Sequence, residues 1–193
     1  MEPTQTKLLS ASAELFAEHG FAGVSMRDIA RATDITQAAI YHHFTNKEEL
    51  YFAALEHLYE AQTVALVSEM ERESSPGAQL TLLVSRLLEV FDENSQIRRI
   101  YFRELLEGDQ QRLKLLSSRV FPEIDRFVRE LMQELAPGMD SHLLVFDLAG
   151  LIFHHLEARK LSAQMDEGRP EHQQLPVLAS HITKLLLYGV RGP

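Results

Sequence analysis

Residues 25–50 read SMRDIARATDITQAAIYHHFTNKEEL. Ser25 stands where a helix N-cap is needed. Asp28, three residues on, completes a near capping box over a short helix of about Met26–Thr33. Thr36 opens a second short helix, about Gln37–His43. Between the two the chain must turn through a positive φ at Asp34, which glycine does best and aspartate tolerates better than most residues. Asn46 then caps a long helix that starts at Lys47, with Glu49 reaching back from its third position. Ile29, Ile35 and Ile40 hold the short helices together, Ala30 is small where they approach most closely, and Phe44 closes the core behind them. Such a pair exposes the N-terminal turn of its second helix, which is how a protein brings side chains and backbone N–H groups into the major groove of DNA.

The outward face of this unit has the chemistry for that task. Gln37 can pair bidentately with adenine, and Ala38 or Ala39 can touch a thymine methyl. Tyr41 and His42 reach phosphates with hydroxyl and ring N–H. Ser25, Arg27 and Thr36 lie at helix starts, where hydroxyl, guanidinium and free backbone N–H groups converge on an anion. Lys47 is expected to do the same at the start of the long helix.

Charge sets a limit on this reading. The 193-residue chain carries a formal net charge of −9. Its first fifty residues hold four Lys/Arg against seven Asp/Glu, so any nucleic-acid contact is local and depends on docking rather than on a basic face. The chain has no cysteine, which excludes disulfides and thiolate sites and fits a reducing cytoplasm. No apolar run is long enough for a membrane span, and the first residues lack a basic-then-apolar signal pattern.

Helical spacing dominates the remainder, and the expected fold class is all-α. A first helix of about Thr4–His19 ends at Gly20, with Phe21 folding back on it. The long helix from Lys47 carries Leu50, Ala54, Leu55, Leu58 and Leu66 on its apolar face, and Ser74-Ser75-Pro76-Gly77 breaks it. Pro76 suits the first position of the next helix, which carries Leu80, Leu83, Val84, Leu87, Leu88 and Phe91. A helix of about Gln96–Glu107 follows. Residues 110–120 are ambiguous, because Pro122 must kink or restart the helix that runs to about Leu135. Asp140 or Ser141 caps a helix to about Ala163 whose first half, LLVFDLAGLIFHHL, is apolar nearly all round and therefore needs partners on both sides. A polar loop, Gln164 to Gln174, precedes a last helix of about Pro176–Gly189. The expected organisation is a helix-turn-helix domain over residues 1–46 and, from the connector helix at 47, a helical body over 47–193.

The order F-x-E-x-G-F from Phe16, S-M-R-D-I-A-R-A-T from Ser25 and I-Y-H-H-F-T-N-K-E-E-L from Ile40 resembles the N-terminal DNA-binding domain of TetR-type transcriptional regulators. The resemblance runs from Phe16 to Leu50. It departs where Asp34 and Ala38 stand at positions that are often glycine, which bears on operator sequence rather than on DNA binding as a class. The resemblance implies a repressor released from a palindromic operator by a small, hydrophobic or amphipathic effector. It implies a homodimer whose last two long helices form a four-helix bundle with their counterparts, with Leu148, Leu151, Ile152, His155, Leu178, Ile182 and Leu185 at the interface. It also implies an effector pocket in the body, for which Phe91, Tyr101, Phe102, Leu105, Phe121, Ile124, Phe127, Phe146 and Phe153 are candidates; for each of these, ordinary core is the competing reading.

Catalysis has no positive support: there is no nucleophile elbow, phosphate-cradling glycine loop or acid–base pair. Among nine histidines, His154 and His155 point about 100° apart on a helix and cannot share a metal comfortably, and no H-x-x-x-H pair exists. No metal or cofactor is expected. Arg98, Arg99 and Arg103 with Glu104 and Glu107 read as a charged helix face with i, i+4 pairing. An effector-free regulator or activator, or an all-helical ligand-binding or interaction protein without DNA affinity, is the alternative reading.

Overall fold

The structure, a computed structural model, describes residues 3–189, and among them ten α-helices and no strand are found. The helices are α1 (Pro3–Gly23), α2 (Met26–Thr33), α3 (Gln37–His43), α4 (Lys47–Met70), α5 (Pro76–Glu93), α6 (Ser95–Glu107), α7 (Gln110–Leu115), α8 (Pro122–Leu135), α9 (Ser141–Ser162) and α10 (Leu175–Tyr188). The chain forms two compact units, and the division differs from the expected cut between 46 and 47. The first unit holds the described residues up to Thr63 and Ser95–Pro122; the second holds Val64–Asn94 and the described residues from Glu123 onward. The helix-turn-helix region thus shares a core with α6 and α7, which sequence spacing had placed in the body.

The core of the first unit shows why. Leu8, Leu9, Phe16 and Ala17 of α1, Ile29 of α2, Ile40 of α3 and Leu50–Leu55 of α4 pack with Ile100 of α6 and Leu116 after α7. At Gly20 (φ 74, ψ 169) the backbone leaves the helical region, so α1 turns there before its last residues. A Cβ at Gly20 would meet the Arg103 guanidinium at 3.3 Å, and the positive φ independently favours glycine. Phe21 then folds back against Phe16 and meets the edge of Tyr51, with centroids 6.2 and 5.2 Å apart.

Polar contacts tie α6 and α7 to this core. Tyr51 donates its hydroxyl to Glu104 at 2.6 Å. Arg112 donates from Nε to Glu104 at 2.9 Å and from Nη2 to Glu107 at 2.6 Å. Glu104 is 2 % exposed, which corrects the expectation of a charged helix face with i, i+4 pairing: its partners come from a helix 53 residues earlier and from α7 rather than from its own turn. Arg103 also has a distant partner, donating to the Glu18 carbonyl at 2.7 Å.

The ambiguous stretch resolves into α7 followed by one π-helical turn, Leu116–Val120, before α8 starts at Pro122. The wider turn absorbs the helix break that Pro122 demands, since proline has no N–H to continue the ladder. Arg119 in that turn forms a forked pair with Glu56 of α4, at 2.7 and 3.1 Å.

In the second unit, Leu66 and Met70 of α4 join Leu80, Leu83, Val84 and Leu88 of α5, Val128, Leu131 and Met132 of α8, Leu144, Leu148, Ile152 and Leu156 of α9, and Leu178 and Ile182 of α10. Ser75 caps α5 with Pro76 in its first turn, and Asp140 caps α9 through the N–H groups of His142 and Leu143. Arg86 bridges Glu69 and Glu89, and Arg159 pairs with Asp92. The polar loop after α9 contains one 3₁₀ turn, Pro170–Gln173.

Candidate DNA-binding surface

Each element of the recognition unit starts and ends as its side chains dictate. Ser25 accepts from the Asp28 N–H at 3.2 Å, and Asp28 accepts from the Ser25 N–H at 3.1 Å, a complete capping box. The Ser25 hydroxyl also donates to Asp28 at 2.6 Å, and these Ser25 hydrogen bonds hold the Asp28 carboxyl below its ordinary pKa. At the far end Asp34 adopts φ 58, ψ 38, and the Ile35 N–H returns to the Ala30 carbonyl at 3.1 Å. This left-handed stop sets the sharp angle between α2 and α3. Thr36 accepts from the Ala39 N–H at 3.2 Å and so starts α3. Asn46 accepts from the Glu49 N–H at 2.8 Å, while Glu49 reaches one residue further back than expected, to the N–H and hydroxyl of Thr45 at 2.6 Å each.

Ile40 is fully buried, and Gln37, Ala38, Ala39, Tyr41 and His42 are all exposed, with Tyr41 at 51 %. Hence α3 fastens itself by one face and presents the residues expected to read bases and phosphates on the other. Arg27 and Thr36 are exposed beside them. Ser25 is exposed too, but its N–H and hydroxyl both already donate to Asp28. Arg31, on the same helix, is held by Asp28 at 2.7 Å.

Lys47 departs from expectation. Its ammonium donates to the carbonyls of Phe21 and Val24 at 2.7 and 2.8 Å and lies 4.2 Å from the centroid of the Phe21 ring. It staples the end of α1 to the start of α4 rather than standing free toward an anion. Burial, and then the Arg112 charge, lower its pKa. Sequence could place Lys47 at a helix start but not show that the turn after Gly20 brings two carbonyls to it.

The other expected sites are placed as follows. In the first unit Tyr101 packs edge-on to Phe102, Phe121 packs edge-on to Tyr59 at 5.2 Å, and Leu105 is half-exposed. In the second unit Phe91 and Phe153 face each other at 4.6 Å, and Ile124 and Phe127 lie against the core. Phe146 is 55 % exposed and meets the His142 ring edge-on. Leu105 and Phe146 are therefore surface residues of their units, not interior ones. Among the expected interface residues, Leu148, Ile152, Leu178 and Ile182 are buried in the core of their own unit and cannot meet a partner. Leu151, His155 and Leu185 are partly exposed. The open stripe on α9 is instead Leu143, Phe146, Gly150, His154 and Leu161, at helical spacing, with Val177, His181, Lys184 and Tyr188 on α10. A helix apolar nearly all round gives no sign of which face its own body takes.

A capped pair of short helices, joined at a left-handed residue and presenting only the polar and small side chains of the second helix, defines a helix-turn-helix DNA-binding regulator. Residues 8–54 match the family model described as bacterial regulatory proteins, tetR family. That match lies in the N-terminal region alone, and together with the relatives below it supports a TetR-type transcriptional regulator. The chain is 26 % identical to the Escherichia coli regulator UidR over 172 residues, covering 84 % of this chain and 86 % of that protein. It is 36 % identical to the Pseudomonas putida regulator TtgR over 103 residues, 51 % of this chain and 48 % of that one. In fold it is similar to the Bacillus subtilis transcriptional regulator FadR, solved in complex with stearoyl-CoA, with a TM-score of 0.77 at 16 % identity, covering 95 % of this chain and 98 % of that one. Among the described residues no helix is long and apolar enough to cross a membrane.

Proposed function

We propose that this protein is a homodimeric repressor that holds a palindromic operator through two copies of α3 and releases it when a small effector binds. The observation that carries the reading is the outward face of α3: Gln37, Ala38, Ala39, Tyr41 and His42 exposed around a buried Ile40. Gln37 and the two alanines would meet base edges, and Tyr41, His42, Arg27 and Thr36 would meet phosphates. The scarcity of free cations makes non-specific binding weak, so affinity depends on complementary docking.

Dimerisation would use the open stripe of α9 and α10. Exposed Leu143, Phe146, Leu161, Val177 and Tyr188 supply apolar area, and Gly150 lets a second α9 approach closely. A two-fold dimer matches half-sites about 34 Å apart, one turn of the duplex. The effector would be hydrophobic or amphipathic, in keeping with the aromatic pairs Phe91–Phe153 and Tyr59–Phe121. It would act by favouring a spacing of the recognition helices that misses successive major grooves.

Selection of bound duplexes from random DNA tests the reading. Enrichment of one inverted repeat is expected. Absence of any enrichment at low salt would favour an all-helical binding protein without DNA affinity.

A further inference from the structure

On α9 and α10 two imidazoles come together. His155 and His181 stand with ring centroids 5.8 Å apart and planes at 84°. Their helices pack side by side, so the pair is held by the fold and not by sequence neighbourhood. His181 is exposed and His155 partly so. Two imidazoles that face each other are a donor pair for a borderline divalent cation.

The spacing fits that use. With a metal about 2.1 Å from each nitrogen, two tetrahedrally placed imidazoles bring their centroids to roughly 5–6 Å. The edge-on arrangement aims one ring at the face of the other, so His181 must rotate about its side-chain torsions, and its exposure leaves room for that. His154 is on the far side of the same turn, its ring 6.4 Å from that of His155. It points about 100° away around the helix and is not part of the pair. Among the described residues no group of three or more His, Asp or Glu could hold a metal. The chain thus offers two ligands, and water or a second copy completes the shell.

We propose that His155 and His181 form a two-imidazole site for a first-row divalent cation of the Zn²⁺ or Ni²⁺ kind, which clamps α9 to α10 beyond the polar loop joining them. The site belongs to a single chain and stands whether or not this face is a dimer interface. Mg²⁺ is excluded by chemistry, since it takes oxygen ligands and keeps its waters.

The test titrates ZnCl₂, and separately NiCl₂, into the tag-free full chain at neutral pH, read by calorimetry and by thermal midpoint. Saturable binding and a raised midpoint are expected. His181→Ala, at an exposed position that leaves the fold intact, and His155→Gln should each weaken binding by about tenfold or more. His154→Ala should bind like the parent, and MgCl₂ should do nothing. Absence of Zn²⁺ binding at millimolar metal overturns the site, as does either His155→Gln or His181→Ala binding like the parent. Sedimentation of the same samples reports the dimer separately, so a monomer that still binds Zn²⁺ through these two histidines refutes the dimer and not the site.

Discussion

Replacing Lys47 by methionine separates a structural lysine from a phosphate-binding one. Methionine keeps the unbranched stem and removes the ammonium. The ammonium donates to two carbonyls, Phe21 at 2.7 Å and Val24 at 2.8 Å, and lies 4.2 Å from the Phe21 ring centroid. Hydrogen bonds from a charged group contribute about 1.5–3 kcal/mol each in favourable cases. A partly exposed cation over an aromatic face adds about 0.5–1 kcal/mol. Against these stands the cost of desolvating the ammonium, visible in the lowered pKa of Lys47, and water reaches part of the turn after the substitution. A net loss of about 2–3 kcal/mol follows. For a chain of this length that lowers the thermal midpoint by about 5–10 °C. Urea unfolding should show the midpoint shifted at unchanged slope. In operator binding, the dependence of log K on log salt should keep the parent slope, because no phosphate loses a counter-charge. A free lysine on the duplex would behave in the opposite way, with an unchanged midpoint and a slope smaller by about 0.9. That pair of results would refute the placement of Lys47 argued above.

Tyr41→Ala removes a half-exposed ring and should weaken operator binding by about tenfold while moving the thermal midpoint by no more than about 1 °C, checked by fluorescence anisotropy and calorimetry. Asp34→Gly suits the left-handed φ of 58 and deletes a negative charge beside α3. It should tighten DNA binding about threefold at low salt, with the gain fading at high salt. Glu104→Ala removes the buried acceptor shared by Tyr51 and Arg112 while Glu107 keeps the guanidinium paired, and should cost about 2–3 kcal/mol in urea unfolding. Asp28 is held below its ordinary pKa by Ser25 in the folded chain, so its capping contribution is present above the unfolded value near 3.8 and is lost as pH falls through the lower folded value. Asp28→Asn should therefore lower the thermal midpoint at neutral pH and converge with the parent in acid. Phe146→Asp places a charge on the open α9 stripe and should leave a folded monomer in sedimentation; an intact dimer would move the interface elsewhere.

The recognition unit was legible because local rules decide it. Ser25, Asp34 and Thr36 determine where α2 and α3 start and stop through bonds to residues within four positions. Pro76 and Asp140 likewise mark helix starts by chemistry confined to one turn. Ile40 against its exposed neighbours follows from helical period alone. The partnerships of Glu104, Arg112 and Lys47 were not legible, since each joins positions more than a turn apart or on different helices, and a charged residue in sequence looks the same whether its partner is water or a buried phenol. The π turn at Leu116–Val120 also escaped, because Pro122 demands a break without saying how the preceding turns absorb it.

From sequence alone came the all-helical class, the boundaries of the short helices and the side chains that α3 can turn outward. Those properties depend on hydrogen bonds and periodicity within a few residues of one another. Tertiary structure alone decided that α6 and α7 share a core with the recognition unit, that Lys47 is a staple, and which side of α9 and α10 stays open. These depend on which surfaces meet when the chain packs, and for a helix apolar on every side the burial is equally favourable in any orientation until its neighbours choose one.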